Sequence, residues 1–432
     1  MDLPEEIVIN IIARVPLQSI IRFKLVCREW KSLIESEFFR DLFHSNSNST
    51  SSNWSILHGT YGLIHSCLEE LKLDLPRESS HGNSHNLSFA SSFTQNNNNK
   101  IKEITVVACA DGLVLLRLKP DEEDMMIRYY IGNPVLPQWI QLPPRVNLPD
   151  HKDFNDSGLV TRMHNGVLLG YKVVRIYNDS LKLGFSRAWT FEIFSSDTGE
   201  WSVQQVSCPD VLMRRASNPV SLNGKLHWLD CSRRLILHDF FSHDDQVRAI
   251  CLPSRMKDTQ WEQTEFRCST SICPSPCGKK ICTTSQGYFV LIDVGLIGEV
   301  KSSNVRVWRL KTDSWNWEKA WEINMACIGL SHKCVPMGIN CFDVDIIYLW
   351  DLDRKCFLAC NLRTDTKSYG TRKHGTFVYK GPNPMIRKPF GNNEDRVEYK
   401  EDSLCFDPRS CLSQFVPTLH VVPTKKLQRN PI

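Results

Sequence analysis

Apolar residues in the first forty-odd positions follow a helical period, whereas those beyond position 54 come in short runs broken by turn residues. Leu3, Ile7 and Ile11 recur at four-residue spacing, with Val8, Ile12 and Val15 beside them. Asp2 suits a cap, Pro4 is tolerated in a first turn, and Glu5 and Glu6 suit the positive end of the helix dipole. Pro16 stops this helix, because the residue before a proline is pushed away from helical angles. Ser19 caps a second helix through Ile20, Ile21, Phe23 and Leu25, and a third segment carries Val26, Cys27, Trp30, Leu33 and Ile34. Phe38, Phe39, Leu42 and Phe43 follow. A unit of about 45 residues sits near the lower limit for independent folding. Its apolar surface exceeds what three short helices hide from water, and such an excess marks a contact surface. The competing reading is that these helices simply pack on the rest of the chain.

Beyond the helices one pattern recurs. A Gly-containing turn leads an apolar strand, and an outer hairpin follows that often ends in Trp. Asp111-Gly112 opens Leu113–Leu116, followed by Tyr129–Asn133 and Trp139; Asn165-Gly166 opens Val167–Leu169, followed by Phe191–Phe194, Asp197-Thr198-Gly199 and Trp201. Asn223-Gly224 opens Lys225–Trp228, followed by Leu235–Asp239 and Val247–Leu252; Gln286-Gly287 opens Tyr288–Val290, followed by Val305–Trp308, Asp313 and Trp315. Ile346–Trp350 and Cys356–Leu362 form a less regular copy. The copies begin roughly 40 to 60 residues apart, which fits propeller blades with a period near 50. A four-stranded blade cannot bury both faces alone, so blades stack radially. The Trp of each outer hairpin is placed to wedge between neighbours. Trp54–Ile64 reads as strands of an earlier blade, and the expectation is six or seven blades. A β-sandwich would lack this repeat.

Three polar stretches interrupt the pattern. Residues 46–53 read as a linker, 78–100 as a long disordered loop with Asn96–Asn99 inside it, and 425–432 as a frayed tail. Residues 380–400 read as a further long loop. The predicted boundaries are thus 1–45, 46–53, 54–424 and 425–432.

Composition narrows the function. A net charge of +4 over 432 residues argues for neither nucleic acid nor a membrane surface as partner. No apolar run reaches about 18 residues, and the acidic start is unlike a signal peptide. A cytoplasmic or nuclear location is therefore expected, and the 17 cysteines are read as reduced thiols. Cys268, Cys273, Cys277 and Cys282 lack the paired spacing of zinc knuckles, so no metal site is assigned.

The run Leu3-Pro4-Glu5-Glu6-Ile7, Arg14-Val15-Pro16-Leu17, Phe23–Trp30 and Ser32-Leu33-Ile34 resembles an F-box. Ala110–Leu116, Ile131–Pro134, Trp139, Leu142–Arg145, Tyr171–Val174 and Phe191–Trp201 resemble plant F-box proteins with kelch-type or F-box-associated repeats. The kelch double glycine is absent from these strands. The resemblance implies a small three-helix F-box followed by an all-β, kelch-type β-propeller. It implies a substrate-recognition subunit of an SCF-type E3 ubiquitin ligase. The F-box would dock on a Skp-family adaptor, and through it on the cullin and RING subunits, while the propeller would hold an unidentified protein substrate. Matched residue by residue, adaptor contacts would fall on Leu3, Pro4, Ile7, Ile11, Leu17, Ile20, Val26, Cys27 and Trp30, some of them serving the core instead. An F-box scaffold that binds the adaptor without substrate turnover is the alternative.

No catalytic constellation stands out. There is no G-x-S-x-G elbow, phosphate loop or H-E-x-x-H helix. His227 alternates with apolar neighbours and reads as a packed residue. No catalytic residue and no cofactor is assigned, which leaves a propeller enzyme or sugar-binding protein as the weaker reading. Substrate contacts are expected on loops, with 78–100, 144–158 and 177–186 as candidates. Arg214 and Arg215 read as solvated surface.

Overall fold

The computed structural model describes residues 4–15, 17–36, 38–39, 42–43, 55–59, 68–71, 101–120, 127–136, 138–144, 157–177, 185–213, 219–230, 234–242, 246–253, 279–297, 302–327, 334–351, 356–363, 377–379, 412–416 and 418–424. The linker, the tail and the loop 380–400 lie outside these residues, as do Arg214, Arg215 and the cysteines at 268, 273 and 277. The chain forms two compact units. One holds Met1–Ser232, Ile236–Ala249 and Ser413–Ile432; the other holds Arg233–Leu235 and Ile250–Leu412.

The first unit opens with α1 (Glu5–Ile12), α2 (Leu17–Phe23) and α3 (Arg28–Glu35). The second helix begins at Leu17, two residues before the Ser19 expected to cap it, and stops at Phe23 instead of running on to Leu25. The amides of Leu25 and Val26 turn back to the carbonyls of Arg22 and Phe23, which frees the chain to reverse before α3. Strands β1 (Ser55–Gly59) and β2 (Leu68–Leu71) then pair antiparallel. Three four-stranded meanders follow: β3 (Ile101–Ala110) to β4 (Leu113–Pro120), β5 (Arg128–Asn133) and β6 (Gln138–Gln141); β7 (Ser157–His164) to β8 (Val167–Tyr177), β9 (Phe185–Ser195) and β10 (Glu200–Met213); and β11 (Val220–Leu222) to β12 (Lys225–Asp230), β13 (Arg234–Asp239) and β14 (Arg248–Cys251). The second unit adds β15 (Lys279–Ser285), β16 (Tyr288–Ile297), β17 (Ser302–Leu310) and β18 (Trp317–Asn324), then β19 (Cys334–Ile339), β20 (Ile346–Asp351), β21 (Cys356–Asn361) and β22 (Phe377–Tyr379). Strand β23 (Leu412–Phe415) returns to pair with β1.

Among the described residues the architecture thus holds five four-stranded blades, not the six or seven expected. The five sequence copies match these five sheets one for one. The segment Trp54–Ile64, which the sequence places in an earlier blade, does not form a four-stranded one among the described residues. Its strand β1 instead joins β2 and β23 in a three-stranded sheet, a pairing across most of the chain that no local repeat encodes.

The turn chemistry explains the regularity of the first four sheets. Asp111-Gly112, Asn165-Gly166, Asn223-Gly224 and Gln286-Gly287 all carry positive φ at both positions, from 43° to 52° for the first residue and 74° to 76° for the glycine. These are two-residue type I′ turns, whose twist matches that of the flanking strands. The fifth sheet closes its first hairpin differently. There Asn340 Oδ1 accepts from the amides of Phe342 and Asp343, a side-chain turn that needs no glycine. Within each unit the first strands of successive sheets lie side by side, β3 by β7 and β7 by β11 in one, β15 by β19 in the other.

Aromatic side chains fill the spaces between sheets. Trp189, Phe191, Trp228 and Phe240 form one buried cluster in the first unit. The expected wedge appears at Trp201, which donates its indole N–H to the Pro143 carbonyl at 2.9 Å; in the fourth sheet the role falls to Trp317, which donates to the Cys251 carbonyl at 2.9 Å, and not to the expected Trp315, which lies in the hairpin turn at a φ of 55°. Arg175, buried, lies with its guanidinium 3.8 Å from the Tyr129 ring centroid and 4.6 Å from that of Trp201, so a cation is clamped between rings from two sheets.

Candidate functional site

The helical unit splits its apolar residues into two sets. Ile9, Ile12, Ala13, Ile20, Ile34, Phe39 and Phe43 are buried and belong to a cluster that also contains residues of β3 and β4. Ile7, Ile11, Leu25, Val26 and Phe38 stand exposed, at 46%, 53%, 85%, 62% and 63% of their full surface. They are half of the large apolar side chains exposed among the described residues, contributed by about a seventh of those residues. Covering the surface they still expose is worth roughly 1–2 kcal/mol each, so the arrangement favours a partner that covers them.

Local structure holds this set outward. The amides of Ile7 and Val8 bond to the carbonyl of Pro4, which starts α1. Ile7 and Ile11, four residues apart, then share a face of that helix. Leu25 and Val26 are displayed by the tight turn after α2. The Sγ of Cys27 accepts from the Trp30 amide at 3.4 Å and caps α3. The carboxyl of Glu29, in the first turn of α3, is held below its usual range by a backbone hydrogen bond first and by the Cys27 side chain second. Trp30 is half-buried and packs edge-to-face on Phe23, with ring centroids 5.1 Å apart. At the other end of α3 the Ser36 hydroxyl donates to the Leu33 carbonyl and accepts from the Phe39 amide, which fixes Phe39 inward.

Of the nine residues the sequence singled out, Pro4, Ile7, Ile11 and Val26 are exposed. Ile20 is fully buried and serves the core of the bundle. Cys27 caps a helix, and Trp30 braces the core from a half-buried position. Leu3 and the Leu17 side chain lie outside the described residues. Leu25 and Phe38 were missed as exposed sites. Leu25 was read as part of the second helix, and the Phe38-Phe39 pair gave no signal for which ring faces in.

Of the candidate substrate loops, 78–100 lies wholly outside the described residues, and 144–158 and 177–186 do so except at their ends. His227 is buried, and burial depresses its pKa to about 4 despite backbone hydrogen bonds that favour the charged form. A neutral, enclosed imidazole fits a packing role. Among the described residues no group of three or more His, Cys, Asp and Glu is placed to hold a metal, and no helix is long and apolar enough to cross a membrane.

Comparison with known proteins agrees with this division. Residues 1–42 match the F-box domain family, and residues 52–423 match the family described as F-box protein At3g26010-like, beta-propeller. The putative F-box protein At3g23950 of Arabidopsis thaliana is 34% identical over 385 residues, covering 84% of each chain. The putative F-box/kelch-repeat protein At1g15680 of the same plant is 32% identical over 410 residues, covering 88% of this chain and 87% of the relative. Among solved structures, YCF48 bound to D1 peptide aligns over 72% of this chain and 75% of its own at 9% identity, with a TM-score of 0.33.

Proposed function

The chain belongs to the F-box proteins with an At3g26010-like β-propeller, and from that premise we propose that it is the substrate-recognition subunit of an SCF-type E3 ubiquitin ligase. The observation that carries the proposal is the exposed apolar set on the helical unit: Ile7, Ile11, Leu25, Val26 and Phe38. These residues dock on a Skp-family adaptor, which links the protein to the cullin and RING subunits. Cys27 and Trp30 act by positioning the turn and α3 rather than as the centre of the contact. The blades hold the protein to be modified. The reaction needs no acid, base or nucleophile from this chain. Its contribution is to keep a target lysine close to the activated ubiquitin, which raises the effective concentration of the two reactants.

The test is co-purification of the full chain with a Skp-family adaptor, wild type beside Ile11→Asp and Val26→Asp. Both positions are more than half exposed, so the substitutions cost about 1 kcal/mol of folding stability, and the variants are checked for folding by circular dichroism. A charge placed at the centre of an apolar contact costs about 2–4 kcal/mol of binding, a loss of roughly 30- to 1,000-fold. Wild-type binding that both variants lose supports the proposal. Failure of the wild type to bind the adaptor contradicts it.

A further inference from the structure

We propose that the segment Thr418–Val422 is a strap that seats the helical unit on the first four-stranded sheet, so that packing and not the linker sets where the F-box sits. Three independent observations carry this. First, one apolar cluster contains Ile9, Ile12 and Phe39 of the helical unit, Val114 and Leu116 of β4, and Leu419 of the strap. Leu419 is therefore part of the same core that the helices use for burial. Second, the strap is buried at Thr418, Leu419, His420 and Val422 although it belongs to no strand, so its backbone must find partners elsewhere. It finds them in the first sheet: the fully buried Asn133 donates from Nδ2 to the carbonyls of Thr418 at 3.0 Å and His420 at 2.8 Å, and the Val422 amide donates to Gln138 Oε1 at 3.1 Å. Third, the turn beneath the strap has no room to spare. A Cβ added to Gly112 would lie 1.9 Å from Thr418 Oγ1, so glycine at this point admits the strap as well as forming the turn.

Asn133 makes the long-range role visible by comparison with Asn361. Both end the third strand of their sheets, and both use Oδ1 to accept from the amide two residues on, Val135 and Arg363 respectively. The Asn133 amide additionally bridges 285 and 287 residues of sequence to the strap. Strand β23, a few residues earlier, pairs with β1. The strap and β23 thus tie together the helices, the first sheet and the three-stranded sheet, all within the first unit.

The test is amide hydrogen exchange of α1 and α3 in the full-length protein, with no adaptor present, which keeps it independent of the ligase reading. Asn133→Ala and Leu419→Ala are compared with the wild type and with Asn361→Ala, which removes the matching turn in the second unit. The strap account predicts exchange in α1 and α3 at least tenfold faster in the first two variants and unchanged in Asn361→Ala. Exchange that quickens in residues 418–422 while α1 and α3 keep wild-type rates overturns it, because the helices would then be seated without the strap. If Asn133→Ala does not fold, Leu419→Val carries the same readout. It trims the strap's core contact by one methylene and leaves every hydrogen bond in place.

Discussion

Gly112 and Gly287 occupy the same left-handed turn position in two hairpins, at φ of 76° and 75°, yet their surroundings differ completely. Nothing lies within 4 Å of a Cβ added at Gly287, whereas one at Gly112 strikes Thr418. Gly287→Ala is therefore expected to cost only the backbone term, about 1–2 kcal/mol. Gly112→Ala adds forced displacement of the strap and is expected to cost about 2–5 kcal/mol in all. Denaturant unfolding of the two variants checks the difference, and equal costs would show that the contact with Thr418 is unimportant. The turns themselves were legible in the sequence, because Asp, Asn or Gln before Gly between apolar runs has a local mechanism. The crowding at Gly112 was not, because its partner lies some three hundred residues away. His227 behaves similarly: its packing role was legible, but the consequence for pH follows from burial. With a folded pKa near 4 and an ordinary value of 6.5, the unfolded chain takes up the proton first as pH falls. His227 therefore leaves stability intact above about pH 6.5 and lowers it progressively toward pH 4, by about 2 kcal/mol at pH 5. His227→Gln is expected to unfold with a pH dependence shallower by that amount between pH 7 and 5, monitored by tryptophan fluorescence.

At the scale of elements, each sheet is a local meander whose hairpins are written in consecutive residues, which is why five copies were visible. The count failed at the three-stranded sheet, whose β1 and β23 meet only in the fold. A second feature invisible in sequence is the buried pair in the fourth meander. Arg306 Nη2 lies 3.1 Å from Asp293 Oδ2, with both side chains almost fully enclosed. A Cβ at Gly295 would fall 2.3 Å from Arg306 Nη2, so this glycine leaves the space the guanidinium occupies. Breaking a buried pair strands a charge, and Asp293→Asn is expected to destabilise the second unit by about 3–5 kcal/mol. Thermal unfolding measures this, and a cost below about 1 kcal/mol would mean that solvent reaches the pair. The indole anchors are smaller: Trp317→Phe removes one hydrogen bond while keeping a ring, for about 0.5–1.5 kcal/mol, and Trp201→Phe also weakens the stacking on Arg175, for about 1–2.5 kcal/mol.

At the scale of the molecule, the division of the chain into a helical unit and blades was legible from a helical period near 3.6 followed by short apolar runs in a repeat of about 40 to 60 residues. The sequence could not sort the helical residues into core and surface, because excess apolar character marks both. Ile20 and Ile11 look alike as letters, yet one is fully buried and the other more than half exposed. The receptor reading further requires that a protein held by the blades receives ubiquitin when the adaptor, cullin and RING subunits are present. A chain that binds the adaptor without any bound partner being modified would instead be a scaffold. The central claim is that the exposed apolar set of the helical unit is the docking face. The most direct measurement is hydrogen exchange of the full chain with and without a saturating Skp-family adaptor. The account predicts protection in α1 around Ile7 and Ile11, in the Leu25–Val26 turn and at Phe38, with the blades unchanged. Protection confined to the blades, with the helices exchanging as they do in the free chain, would contradict it.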